Sequence, residues 1–342
     1  MYFDHNATSP MSDSVRAAVT HAMGTHWANP NSPHRLGQAA AVQVEMARRT
    51  IAMRLGVPPK AVFFTSGATE ANAWALHQPG LPVIASAVEH PSVAEWADEV
   101  IGVDSEGIID LDALESRLKK GSAVVCVMAA NNETGVIQPI EEVAKLVSDN
   151  GSRFHCDATQ WVGRMDGIVR ADSITVSAHK LGGPRGVGAL VTLDPPKSVF
   201  RGGGQERGRR AGTLNVPGII GFGQAVSECS AFDPVQRDTL EAFCVSRGAV
   251  ILGGGAPRLP NTCSALFSVP GDLLVAGMDL EGLCASTGSA CSSGSSQASQ
   301  VLRAMGVDGI PVRFSLGRDS ISEDAISVLG QVLDQMEVPC AS

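Results

Sequence analysis

The chain has 342 residues, 44% of them hydrophobic and 18% charged, with a formal net charge of −9. That length supports two domains with cores of their own, and the composition is that of a globular protein. The acidic balance argues against a nucleic-acid or anionic-membrane surface, and no apolar run approaches the roughly 20 residues that span a bilayer. The eight cysteines form neither Cys-x-x-Cys nor Cys/His pairs, so neither a metal site nor a disulfide framework is expected. The N-terminus has no basic n-region or apolar h-region, which predicts a cytoplasmic protein with reduced thiols.

Asp4 to Ser9 precede an amphipathic helix expected from Ser12 to Met23 and closed by Gly24. Prolines and asparagines between Trp27 and Pro33 predict irregular chain. A longer helix follows, with Ala40, Val44, Ala47, Ile51 and Leu55 on one face and Gly56 as its C′ residue. An alternation then sets in. Residues 61–64, 83–85, 123–128, 154–157 and 174–176 read as strands. Helices are expected after Thr65–Glu70, from His90-Pro91 through Trp96, near 111–119 and around 140–149. Strands and helices in turn imply a mainly parallel sheet covered on both faces.

Beyond about residue 230 the order becomes mixed. Helices near 235–247 and 271–280 flank Ser264 to Ser268, a Ser/Gly-rich stretch covers 286–299, and Arg313 to Leu316 reads as a strand. A last helix is expected to start at a Ser320/Glu323 capping box. The expected domains are 12–230, holding the ligand, and a smaller α+β domain of 1–11 with 231–342.

Four features converge on the carboxyl ends of the predicted strands, where α/β proteins place their ligands. Thr65 to Thr69 form a strand-to-helix junction with free N–H groups, a ready anion site. Asp157 is the first charge after a strand and suits a cationic ring nitrogen, with Gln160 within reach of the same ligand. His90 sits at a comparable strand end, fixed by Pro91. The run Ser173 to Val176 delivers Ser177, His179 and Lys180 to a Gly-rich turn. A phosphate cup, an acid, a flat imidazole and a lysine amine describe a site for pyridoxal phosphate, with Lys180 as the amine that forms the Schiff base.

The segments Phe64 to Glu70, Asn131 to Gly135, His155 to Gln160, Ser177 to Lys180, Arg209 to Thr213, Gly288 to Gly294 and Arg313 to Arg318 resemble, in order and spacing, the cysteine desulfurases of the class V aminotransferase group. The resemblance implies fold type I: a large domain with a mainly parallel seven-stranded sheet and a smaller α+β domain. It implies that L-cysteine gives L-alanine and a persulfide on Cys291, with pyridoxal 5′-phosphate as cofactor. By it, Lys180, His90 and Cys291 are catalytic, His90 stacking on the ring and Asp157 pairing with its nitrogen. Gln160 and Asn132 hydrogen-bond around the ring hydroxyl or substrate, and Ala68, Thr69, Ser177 and His179 grip the phosphate. Thr213 reaches a phosphate in the partner subunit, implying a homodimer. Arg313 pairs with the substrate carboxylate, and Asn29 lies in a segment lining the substrate pocket. The sulfur acceptor is a protein such as an iron–sulfur scaffold, or a tRNA-thiolation partner.

Either Lys180 or His90 serves as the base at Cα. Neighbouring readings are a selenocysteine lyase, a cysteine sulfinate desulfinase, or a non-catalytic protein of the same fold. Cys291 argues against the first two, which need no protein persulfide, and the intact Lys180, Asp157 and His90 against the third.

Overall fold

A computed structural model describes residues 1–77, 80–195, 197–198, 200–288 and 299–336. The strands are β1 (Val62–Thr65), β2 (Val83–Ser86), β3 (Glu99–Ile101), β4 (Val124–Cys126), β5 (Arg153–Asp157), β6 (Ser173–Ser177), β7 (Gly188–Thr192), β8 (Val250–Ile251), β9 (Thr262–Leu266) and β10 (Val312–Ser315). The helices of the first part are α1 (Asp13–Thr25), α2 (Arg35–Arg54), α3 (Ala68–Leu76), α4 (Pro91–Ala94), α5 (Leu111–Leu118), α6 (Ile140–Asp149), α7 (Gln205–Gly208) and α8 (Val216–Ser227). Those of the second are α9 (Val235–Ser246), α10 (Gly271–Leu280), α11 (Gln300–Ala304) and α12 (Ser322–Gln335).

The first seven strands form one sheet in the order β1-β7-β6-β5-β4-β2-β3. Only β7 runs against its neighbours, pairing antiparallel with both β1 and β6. The expected mainly parallel sheet of seven strands is therefore present. Apart from the edge strand β3, its strands are largely buried and alternate between two cores. Val62, Phe64, Ile84, Val125 and Val191 pack towards α2, α5, α6 and α8. On the other face Phe63 and Leu190 meet α3 through Trp74, while Val83, Val124 and Cys126 lie against Val93 of α4.

A second, antiparallel sheet of order β10-β9-β8 carries its own core with α9, α10 and α12. Phe3, at the opposite end of the sequence, is buried in that core.

Several boundaries differ from expectation. Helix α1 runs through Gly24 to Thr25, its start capped by the Ser12 hydroxyl, which accepts from Val15 N. Helix α4 is a single turn that stops at Ala94, short of Trp96. The expected capping box is not formed: the Ser320 hydroxyl accepts from Gly317 N at 2.8 Å, and Ile321 precedes the helix with no side-chain cap. Strands β3 and β7 were not foreseen. Glu99 and Val100 of β3 are exposed, so no apolar run marks it, and β7 directly follows the glycines that read as the end of regular structure.

Beside β1, Arg48 of α2 reaches Glu206 with both terminal nitrogens, at 2.9 and 2.7 Å. Phe64 N donates to the same carboxylate at 2.8 Å. Both side chains are buried, and burial pushes the guanidinium down while Glu206 pulls it up further. Removing one partner strands a buried charge, which costs about 3–5 kcal/mol, whereas replacing both by apolar groups is often neutral. Glu206→Ala is expected to lose that amount in a urea titration with the slope unchanged, and an Arg48→Met/Glu206→Leu double variant to recover most of it.

Candidate active site

Strands β2, β4, β5 and β6 are mutually parallel, and β1 runs the same way because both it and β6 oppose β7. Their carboxyl ends therefore open on one side of the sheet, the usual location of ligands in such folds. A cavity of about 790 Å³ lies there, lined by residues just beyond the strand ends. Ser66 to Glu70 come from β1, Glu89 to Pro91 from β2, Met128, Ala130, Asn132 and Glu133 from β4, Asp157, Thr159 and Gln160 from β5, and Ser177, His179 and Lys180 from β6. Asn6, Ala7 and Thr8 close it from the N-terminal segment, and Arg313 from β10.

Ten predicted residues are thus brought together: Ala68, Thr69, His90, Asn132, Asp157, Gln160, Ser177, His179, Lys180 and Arg313. Two are not. Asn29 is exposed, its side-chain oxygen accepting from Asn31 N at 3.0 Å, and Thr213 is also exposed. Neither lines the cavity of its own chain. Cys291 lies outside the described residues.

Lys180 sits in the turn of 3₁₀ helix Ala178–Leu181 that ends β6, closed by Gly182 at φ +84°. A Cβ on neighbouring Gly183 would lie 2.8 Å from that of Ala178, so the tight turn needs glycine there. The ammonium donates to Asn6 O at 2.5 Å and Ala7 O at 2.9 Å. Burial, with Arg164 and Arg313 nearby, pushes its pKa down to about 8.

The anion cup forms at the start of α3. Its N-cap is Gly67, which offers no side-chain cap, so the first N–H groups remain free for a ligand. The cup is braced by Glu70, which accepts from Ser66 N at 2.7 Å and pairs with Arg210 at 2.8 Å. Gly188 of β7 packs against Gly67, where a Cβ would meet the Gly67 Cα at 2.8 Å. Ser177 is buried beside the cup, and His179 Nδ1 lies 3.1 Å from the Thr8 hydroxyl. Burial, then Lys180, Arg185 and Arg164, push His179 down to about 4, so it is neutral at pH 7.

Asp157 is held by two donors, Thr159 N at 2.9 Å and Asn72 Nδ2 at 2.8 Å. Asn72 also donates to the Ser92 hydroxyl at 2.9 Å and faces His155 Nε2 at 3.0 Å. Ser92 in turn meets His90: its backbone N donates to Nδ1 at 3.1 Å, and its hydroxyl lies 2.8 Å away. A backbone N–H donating to Nδ1 leaves the ring proton on Nε2. Burial lowers the His90 pKa, Asp157 opposing and Lys180 adding to the fall.

Glu89 accepts from Met128 N at 2.8 Å, while its other oxygen is buried without a partner. Burial and the neighbouring Asp157 raise its pKa well above the ordinary carboxylate value against that single hydrogen bond.

Sequence reasoning missed Asn6, Asn72, Glu89 and Arg164. A buried asparagine on a helix otherwise lined by Ala71, Trp74, Ala75 and Leu76 was a readable sign, because buried amides need partners.

The residues present fit pyridoxal phosphate. Free helix N–H groups await an anion, a doubly held carboxylate faces the cavity, and the Gln160 Oε1 and Thr159 Oγ1 atoms are buried there without partners.

The chain is similar to known proteins along nearly its whole length. The family model Aminotransferase class-V matches residues 1–328. A cysteine desulfurase of a Nostoc species is 35% identical, covering 98% of this chain and 93% of the relative. The cysteine desulfurase IscS of Dictyoglomus turgidum is 36% identical, covering 98% and 95%. Among solved structures a NifS-like protein superposes with a TM-score of 0.88 at 32% identity over 98% of this chain and 99% of its own. One described as SspA in complex with cysteine gives 0.83 at 27%, covering 92% and 98%.

A lysine with a pKa of about 8 is half neutral at that pH, whereas solvated lysines are almost fully charged. In cofactor-free protein, an amine-reactive label is expected to modify Lys180 with a rate midpoint near pH 8, read by peptide mass spectrometry. A midpoint near 10.5 would contradict the burial argument.

Proposed function

The chain belongs to the class-V aminotransferase family and, within it, to the cysteine desulfurases, and from that premise we propose how its own residues divide the work. The protein is a pyridoxal-phosphate-dependent enzyme that removes sulfur from L-cysteine. The observation that carries the assignment is Lys180, an amine with lowered basicity beside a doubly held carboxylate and a free helix N-terminus.

Pyridoxal phosphate, when bound, supplies an electron sink conjugated to the substrate amine. Ala68 and Thr69, with Ser177 and His179, would hold its phosphate, and His179 is neutral there rather than a second cation. Asp157, held in place by its two donors, would pair with the ring nitrogen. Gln160 offers its unpartnered oxygen, with Asn132 beside it at the cavity wall.

Lys180, and not His90, takes the proton from Cα. The lysine amine lies near neutral basicity once freed, and His90 carries its proton on Nε2, which makes it a donor to the substrate. Arg313 receives the substrate carboxylate. The Cys291 thiolate attacks the substrate sulfur, the Cβ–S bond breaks with its electrons going to carbon, and that carbon is then protonated. The sum is L-cysteine plus the Cys291 thiol giving L-alanine plus a Cys291 persulfide. The persulfide then passes its outer sulfur to an acceptor protein, an iron–sulfur scaffold or a tRNA-thiolation partner.

The two cores support a large cofactor-binding domain of 12–230 and a small domain of 1–11 with 231–342. A homodimer is supported by Thr213 and Asn29, which lie outside their own chain's cavity, and by exposed apolar residues: Met23 and Trp27 around the end of α1, and Met46 and Met53 on α2. A reducing, cytoplasmic setting is supported by the six free cysteines among the described residues. No helix among them is long and apolar enough to cross a membrane.

Purified protein is expected to show the absorbance of bound cofactor and to form alanine and sulfide from L-cysteine with a reductant present. Lys180→Ala should lose both colour and activity. Cys291→Ser should keep the colour but form no persulfide, and undiminished sulfide release by that variant would sink the nucleophile assignment. Thr213→Ala is expected to weaken cofactor retention without altering the dimer mass in light scattering.

A further inference from the structure

Arg313 already has an anionic partner. Its guanidinium is 1% exposed and donates through Nη2 to the Asp4 carboxylate at 2.5 Å. Both Nη1 hydrogens are taken by backbone carbonyls, Asn132 O at 2.9 Å and Gly288 O at 2.7 Å. Two N–H groups remain: the second on Nη2, and that on Nε, which is buried with no partner. A guanidinium offers five N–H groups, and a carboxylate clasp needs two neighbouring ones. With Nη1 filled and Nε sealed from solvent, a carboxylate must approach through Nη2, and the Asp4 carboxylate already sits on that nitrogen.

We propose that Asp4 is an internal competitor for the substrate carboxylate: it occupies the Nη2 corner of Arg313 until the substrate displaces it, and so sets the affinity for amino acids. The inference rests on the reading that Arg313 receives that carboxylate. Two observations identify Asp4 as the group that moves. Its side chain is 19% exposed, so a route to water exists, whereas Arg313 is fixed through Nη1 to two backbone segments. Among the described residues, the Asp4 carboxylate has no other hydrogen-bond partner, since Tyr2, Ala7 and Thr8 all contact its backbone oxygen.

The exchange replaces one carboxylate on Arg313 by another, so the substrate gains no new buried charge pair. An amide at position 4 would hold Nη2 with a neutral hydrogen bond, weaker than a charge-assisted one by roughly 1 kcal/mol. The substrate then displaces a weaker occupant. A purely structural Asp4 predicts the reverse, because loss of an anchor loosens the site and raises KM.

The test uses the holoenzyme and compares wild type, Asp4→Asn, Asp4→Glu and Arg313→Lys. Asp4→Asn is expected to lower KM for L-cysteine about fivefold with kcat within about twofold. Binding of the product L-alanine, followed by calorimetry, should tighten by the same factor. The inhibition constant of cysteamine, which lacks a carboxylate, should not move. Asp4→Glu should return KM towards wild type, and Asp4→Ser carries the same comparison if Asp4→Asn does not fold. If Asp4→Asn leaves KM unchanged or raises it while Arg313→Lys still weakens L-cysteine, the competition is overturned and the arginine's role stands. If Arg313→Lys leaves KM unchanged, the assignment of the arginine itself fails.

Discussion

The geometry of this site depends on one buried asparagine near the start of the chain. Asn6 N donates to the Ser315 hydroxyl, and its amide donates to the Thr262 hydroxyl and Asn132 O, at 2.9, 2.9 and 3.1 Å. Its side-chain oxygen accepts from Asn261 at 3.3 Å, and its carbonyl accepts from Gln160 at 3.0 Å and from Lys180 at 2.5 Å. The antiparallel sheet of the second core, the ends of β4 and β5 and the lysine therefore meet at a single residue. Each such bond contributes only about 1 kcal/mol net, but leaving several buried partners unpaired at once costs far more. Lys180 is thus positioned as much by the small core as by the strand that carries it.

Charge around the cavity follows from which groups can find partners. Arg164 is buried and donates to the carbonyls of Gln160, His5 and Lys180, with no carboxylate among these partners. Burial lowers its pKa to about 10, so it stays charged at neutral pH and adds to the field that disfavours a charged lysine. On the acidic side Asp157 has two donors and Glu89 one, and burial raises the pKa of the less supported Glu89. Lys180, Arg185 and Arg313 thus line a cavity whose proposed ligands carry a phosphate or a carboxylate. Without Arg164 and burial, Lys180 would keep the basicity of a surface amine and offer far less free amine near pH 8.

Much of this was legible in the sequence, for reasons specific to each feature. Strand ends could be read because apolar β-branched runs stop at polar residues, so Asp157, Ser177 and Lys180 announced themselves. The cup at Ala68 and Thr69 was legible because a glycine junction between strand and helix leaves N–H groups free. What could not be read were contacts between segments far apart in the chain. Asn6 lies 174 positions from Lys180, and nothing in Asp-His-Asn-Ala-Thr-Ser marks which carbonyl meets an amine. Strand β3 was invisible because an edge strand buries only Ile101. The Ser320/Glu323 pattern misled because the Ser320 hydroxyl is taken by Gly317 N, a tertiary choice that overrides a local preference.

With Arg313 receiving the substrate carboxylate as proposed, stability and substrate recognition conflict at one atom. A guanidinium buried to 1% exposure without a counter-ion costs several kcal/mol, because desolvation of a charge is not recovered by neutral carbonyls alone. An arginine kept vacant for a carboxylate would therefore weaken the protein whenever no substrate was bound. Pairing it with Asp4 removes that penalty, but under the proposed exchange a substrate carboxylate must break an existing ion pair before forming its own. The same logic explains the partial exposure of Asp4, since a fully buried aspartate could not be displaced without becoming an unpaired buried charge itself. Fixing Nη1 on Asn132 and Gly288 while leaving Nη2 to an exchangeable carboxylate separates the two tasks: one edge of the fork holds the arginine in place, and the other can change partners without moving it.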